Sequence, residues 1–318
     1  MASNKKLRFK GDLMEEKKTE VRERVPDKMK RRRWGDRNDG RVVRSLSPMA
    51  KIVPYIMKER SDSQNFIRET FCVDTVLEYI NKKRREGYVG FGFMHVMIAL
   101  YLRCVAEYPA LNRFISGQKV YTRDGYVEVI LTIKKEMVLD SPDTVVKATF
   151  RPDAIPIDIY DEFTRIIEGY RQVKDSSFDR TAKIINYIPG LLKRFTIGFF
   201  KFLDYFGLLP RFLTRISPFH GSFFITSMGS LGIPPVYHHL YNFGNVPIFC
   251  AFGIKQRKFE LNRDGSVEEH SYIDVTFVLD ERICDGYYFA SSLKYMKRFL
   301  RDPWKLDTPP EVVRCDID

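Results

Sequence analysis

Tyr272-Ile273-Asp274-Val275-Thr276-Phe277-Val278-Leu279-Asp280-Glu281-Arg282-Ile283-Cys284-Asp285-Gly286 is the stretch that decides the fold. Its first part alternates, placing Ile273, Val275, Phe277 and Leu279 on one side of an extended chain, so the spacing predicts a strand over 272–279. A helix-like run follows over 287–300. Between them lies a short charged turn, Asp280-Glu281-Arg282, closed by Asp285-Gly286.

Three upstream segments belong with this turn. Gly221-Ser222-Phe223-Phe224-Ile225-Thr226-Ser227-Met228-Gly229-Ser230-Leu231-Gly232-Ile233 is an apolar strand pattern running into a glycine-rich turn. Asn245-Val246-Pro247-Ile248-Phe249-Cys250-Ala251-Phe252-Gly253 is a second apolar run ending in glycine, and a helix-like stretch over 93–107 leads into Tyr108-Pro109-Ala110-Leu111-Asn112. In this order the segments resemble the catalytic domain of the 2-oxoacid dehydrogenase dihydrolipoyl acyltransferases and the related chloramphenicol acetyltransferases. The resemblance covers roughly residues 45–305 and is strongest in the last third. That superfamily writes the turn as His-x-x-x-Asp-Gly, with the His as general base. Asp280, Arg282, Asp285 and Gly286 match; Glu281 stands where the His belongs. Thr226 occupies the position of a serine whose hydroxyl donates to the tetrahedral oxyanion.

The resemblance implies an α+β fold, a two-layer α/β sandwich of the chloramphenicol acetyltransferase-like type. It also implies a homotrimer whose active sites lie between adjacent subunits, with acyl-CoA or CoA as substrate, no covalently bound cofactor, and a small-molecule acyl acceptor. Thr226 and Glu281 then carry the oxyanion and base roles, Asp285 supports that loop, and Ser227, Arg282 and Gly286 face the substrate. An unperturbed Glu of pKa about 4.3 accepts a proton less readily than a His of about 6.5, worth around 3 kcal/mol or a rate factor on the order of a hundred at equal geometry. Burial raises a carboxyl and recovers part of this. Of the five histidines, His238 and His239 follow the Thr226 strand, and either pairing with a neighbour's Glu281 gives a relocated acid/base couple. The competing reading makes them ordinary hydrogen-bonding residues. His95 and His270 read as structural or surface groups.

At 318 residues and 44% hydrophobic, the chain suits one large domain with an N-terminal arm. The divisions expected are a basic arm over 1–44, an acyltransferase-like domain over 45–305, and a tail over 306–318. The five cysteines are scattered and without ligand spacing, which argues for reduced thiols in a cytoplasmic protein and no metal site. The charged N-terminus predicts no signal peptide. The net charge is +12, and residues 1–40 hold 14 Lys/Arg against 8 Asp/Glu, densest at Lys28-Met29-Lys30-Arg31-Arg32-Arg33-Trp34. No nucleic-acid motif follows, so the arm reads first as a solvated tail or a strap over a neighbour. Neither a lipoylation turn nor a phosphate-binding glycine loop is present.

Residues 45–56, with Pro48 and Pro54, suggest an extended lead-in, and 66–84 an amphipathic helix burying Val73, Val76, Leu77 and Ile80. Strands are expected over 119–123, 126–134 and 144–150, with Asp124-Gly125 as a hairpin turn, and a helix over 158–170. Residues 182–216 form a hydrophobic helical insert broken at Pro189-Gly190 and Gly207. It reads as a hairpin packed on the core or a neighbouring subunit, as the wall of an acyl pocket, or, less favoured, as an interfacial membrane helix. Two functions result: a stand-alone acyl-CoA-dependent acyltransferase with Glu replacing the His base, or a catalytically inactive trimeric scaffold or acyl-CoA-binding protein of the same fold.

Overall fold

A computed structural model describes residues 32–123, 125–134, 143–172 and 186–317. The stretch read first from sequence is the centre of the architecture. Strand β9 (Val267–Asp280) pairs antiparallel with β2 (Gln64–Cys72) on one side and with β8 (Ile248–Leu261) on the other. Parallel pairing then adds β7 (Phe223–Ser227) and β5 (Val127–Lys134), and an antiparallel β6 (Asp143–Phe150) closes a six-stranded sheet of order β2-β9-β8-β7-β5-β6. A small second sheet joins β1 (Arg41–Val42), β4 (Lys119–Thr122) and β3 (Arg113–Ser116).

Alternation gives the large sheet two unlike faces. Val127, Val129, Phe223, Ile225, Ile248, Cys250, Val275, Phe277 and Leu279 belong to the main core. Over them pack α2 (Asp74–Arg85), α3 (Phe93–Glu107), α4 (Pro156–Gln172) and α7 (Gly286–Arg301). Helix α3 is apolar around most of its circumference, and every residue from Val96 to Ala106, Arg103 included, is buried, which makes it the centre of the helical layer. The opposite face holds a smaller cluster, Ile130, Phe224, Leu240, Val246, Phe249 and Val278, crossed by the segment 233–246. This is the expected two-layer α/β sandwich.

Several local expectations change. Residues 64–72 are strand, not helix; nine consecutive partners on β9 outweigh the helical pattern, which belongs to residues 74–85 alone. The lead-in is helical: in α1 (Pro48–Ile56) Ser47 caps Ala50 N–H, and Pro48 takes the first turn, where no N–H is needed. Strands β4 and β5 do not form a hairpin, because β4 joins the small sheet; Asp124 lies outside the described residues. The expected arm ends inside the domain, since Arg37, Asp39, Arg41 and Val43 are buried, while most of the basic run lies outside the described residues. The tail is also fastened, with Asp316 buried against Arg113 at 2.6 and 2.7 Å.

The insert breaks where expected. Helix α5 (Gly190–Tyr205) starts after Pro189, and Gly207 takes φ +71° before α6 (Arg211–Ile216). Asp204 is the one buried residue of α5. The apolar side chains are therefore not packed on the core; residues 182–185 lie outside the described residues.

Candidate functional site

Strand pairing fixes where the two family positions lie. Thr226 sits opposite Ala251, which sits opposite Thr276, and Glu281 lies five residues beyond Thr276. At about 3.4 Å per residue that is roughly 17 Å along the strand, besides two inter-strand steps, so Thr226 and Glu281 do not meet within one chain.

The charged turn is held from beneath. Asp280 is fully buried and accepts from Arg282 Nε and Nη2 at 2.8 and 2.7 Å, from Ser63 Oγ at 3.0 Å, and from the Arg282 backbone N–H. Arg60 Nε lies 3.6 Å from the same carboxylate. Arg282 also donates to the carbonyls of Met57 and Lys58. Burial lowers the Arg60 guanidinium to about 10, against the pull of Asp280. Glu281, half-buried, has its N–H on the Ser63 carbonyl at 2.9 Å. Arg282 is thus spent on shaping the turn. Asp285 caps α7, accepting the Tyr288 N–H at 2.7 Å. Gly286 is not needed for a tight exit: its φ is ordinary and a Cβ there would meet nothing within 4 Å.

Thr226 and Ser227 end β7, both half-buried, and Ser227 accepts the Ser230 hydroxyl at its carbonyl. Thr226 is two residues from Phe224, and so shares the smaller-cluster face of the sheet. His238 lies on that face as well. Its imidazole stacks on Phe249 at 4.4 Å, which itself stacks on Phe224 at 4.4 Å. His238 Nε2 is buried with no hydrogen-bond partner, and burial, helped by His239, lowers its pKa and keeps the ring neutral. The loop is pressed close: a Cβ on Gly253 would come within 2.5 Å of Pro235. Farther along it, Val236 O accepts the Thr276 hydroxyl at 2.8 Å. His239 is exposed, its ring 4.9 Å from Tyr241.

No motif or spacing signals the buried polar network that lies below the insert. Arg37 donates to Asp39 at 2.8 Å, to Ser116 at 2.8 Å and to Asp204 Oδ1 at 2.7 Å. His220 Nε2 lies 3.3 Å from the same Asp204 oxygen without hydrogen-bond alignment, and its Nδ1 contacts Ser217 Oγ at 2.8 Å. Burial alone would raise the Asp204 carboxyl, but His220 and Arg37 hold it well below its usual range. Arg37 and Asp204 are 167 positions apart, too far for any spacing rule to join them. Between this network and the charged turn opens a cavity of about 180 Å³, lined in part by Lys58, Arg60, Ser116, Lys201, Tyr205 and Arg282.

Cys72, Asp74 and His270 also come together, against the expectation of no ligand cluster, because β2 and β9 pair there. Asp74 Oδ2 takes His270 Nδ1 at 2.8 Å and Cys72 Sγ at 3.5 Å, contacts that satisfy the carboxylate without an ion. No helix of the described residues is long and apolar enough to cross a membrane.

No protein-family profile matches this sequence, and no curated protein is significantly similar to it. Solved structures do match. A probable dihydrolipoamide acetyltransferase from Listeria monocytogenes aligns over 80% of this chain and 92% of its own, at 14% identity and a TM-score of 0.52. The dihydrolipoamide acetyltransferase of Azotobacter vinelandii, studied for the catalytic roles of a serine, a histidine and an asparagine, aligns over 82% and 93% at 11% identity and 0.53. The sheet order, the helical layer and these alignments agree: the chain has the chloramphenicol acetyltransferase-like acyltransferase fold, the fold of the dihydrolipoamide acetyltransferase catalytic core.

Proposed function

We propose that the protein is an acyl-CoA-dependent acyltransferase, active as a homotrimer, in which His238 supplies the base lost at position 281. The observation that carries this reading is the buried, unpartnered Nε2 of His238 on the sheet face that bears Thr226. A buried polar atom without a partner is costly, and a neutral imidazole is the form that accepts a proton. Thr226 donates its hydroxyl to the oxyanion, and Glu281 of a neighbouring subunit orients the imidazolium. In the step itself the imidazole takes the acceptor's proton, the acceptor attacks the thioester carbonyl, and collapse breaks the C–S bond. The CoA thiolate then leaves with the proton from His238. Lys58, Arg60, Lys201 and Arg282 line the cavity against the carboxylates of Glu59 and Asp204, an excess of positive charge suited to an anionic substrate group.

Calorimetric titration with CoA, acetyl-CoA and a long-chain acyl-CoA tests the donor. The expected result is micromolar binding by the trimer, with slow thioester hydrolysis that His238→Gln reduces at least a hundredfold while binding persists. Absence of binding by a folded trimer overturns the reading. Binding without turnover, unchanged by His238→Gln, favours the alternative that the substitution at Glu281 motivates: an inactive scaffold or acyl-CoA-binding protein.

A further inference from the structure

The apolar stripe of α5 has no counterpart in the described structure. Leu191, Leu192, Phe195, Phe199 and Phe202 fall on one side of the helix, with Phe206 just past its end, and each is about half exposed or more. The opposite side carries Asp204, through which Arg37 ties the helix to the domain. The stripe therefore points away from the rest of the described residues, and it bounds an open groove of about 780 Å³ with Arg194 on its flank.

Charge decides the occupant. Between residues 186 and 216 stand five cations, Lys193, Arg194, Lys201, Arg211 and Arg215, and a single acid, Asp204. That acid is buried and neutralised, so the surface of the segment is purely cationic. Packing this segment against the same segment of a second copy would bring like charges together with no free acid to pair them. An anionic bilayer supplies both requirements, hydrocarbon for the phenylalanines and headgroup charge for the lysines and arginines. At 16 residues α5 is about 24 Å long, shorter than a membrane core of about 30 Å, so it lies in the interface rather than spanning it.

We infer that α5 and α6 dock the protein peripherally on an anionic phospholipid surface. The tip of α5 that lines the cavity, with Lys201 and Tyr205, is then held at headgroup level. This docking is independent of the thioester chemistry proposed above and is read by a different assay.

Flotation of the full chain with vesicles of phosphatidylcholine alone, and with vesicles that also contain phosphatidylglycerol, is the test. The expected result is binding to the phosphatidylglycerol vesicles only, weakened by salt. Phe199→Glu with Phe202→Glu should abolish it, and Arg194→Ala with Lys201→Ala should weaken it on the order of tenfold or more. Each substituted side chain is exposed, so the melting temperature should not move. Failure to bind anionic vesicles overturns the proposal. So does binding that survives Phe199→Glu/Phe202→Glu, which would assign it to the basic N-terminal residues. A loss of oligomer mass by light scattering in that variant, without vesicle binding by the parent, would make the stripe a subunit contact instead.

Discussion

On the helical side of the large sheet, the inward residues of β5, β7, β8 and β9 are apolar and have helices packed over them. On the other side the same strands carry Thr226, Asp274, Thr276 and Asp280 among a few apolar residues, and a loop rather than a helix crosses them. One side is closed over by the chain's own helices. The other keeps an orphaned imidazole nitrogen and a half-buried threonine. The contrast separates the face that helices close from the face that a loop crosses, which is the face on which the proposed chemistry depends.

The largest effect should come from Asp280, a buried charge that holds the turn. Asp280→Ala leaves Arg282 and Arg60 without their carboxylate, and denaturant unfolding should show a loss of about 3–5 kcal/mol. A loss under 1 kcal/mol would mean that the turn belongs with the open side. Thr226→Val sharpens the contrast from the other direction: thioester turnover should fall about a hundredfold with stability nearly unchanged.

Acidification addresses the closed side. His95 Nδ1 accepts the Gly92 N–H at 3.1 Å, and the ring lies among Phe91, Tyr160 and Phe163. Burial lowers it to about 4. Below about pH 6.5 the unfolded chain binds a proton that the folded one refuses, so stability falls as pH drops toward 4, by about 2–3 kcal/mol from this residue. Buried His220 shifts in the same direction. Melting scans between pH 7 and 4 should show the decline, and His95→Gln should flatten it. The smallest effect is expected at Asp285. Its role as the cap of α7 predicts that Asp285→Ala costs about 1 kcal/mol and leaves turnover intact. A large loss of turnover would return it to the catalytic set.

Local pattern carried the sequence reading as far as local pattern reaches. The β9 alternation, the mostly apolar α3 and the glycine and proline breaks around α5 are properties of consecutive residues, and each appears as expected. Residues 66–72 fall in a strand because the helical spacing of Val73, Val76, Leu77 and Ile80 begins only after them, and their pairing with β9 is a long-range contact that local pattern does not carry. The site divides similarly. Thr226 ends β7 and His238 lies in the loop after it, so local pattern reaches both, whereas Arg37, Asp204 and Arg60 converge from distant positions. The motif places Asp285 in the polar support of the turn; its cap bond to Tyr288 depends on α7 being in place.

Arg113 gives the far end of the chain a hold on the turn. Its guanidinium grips Asp316 with two bonds while Nη1 reaches the Ile283 carbonyl at 3.2 Å, two residues past Glu281. Proteolytic trimming of the last few residues would strip that guanidinium of its counter-ion directly behind the turn. A clip at the chain end would then reach the turn that carries Glu281, and intact mass becomes a necessary companion to every binding or turnover test of the proposed function.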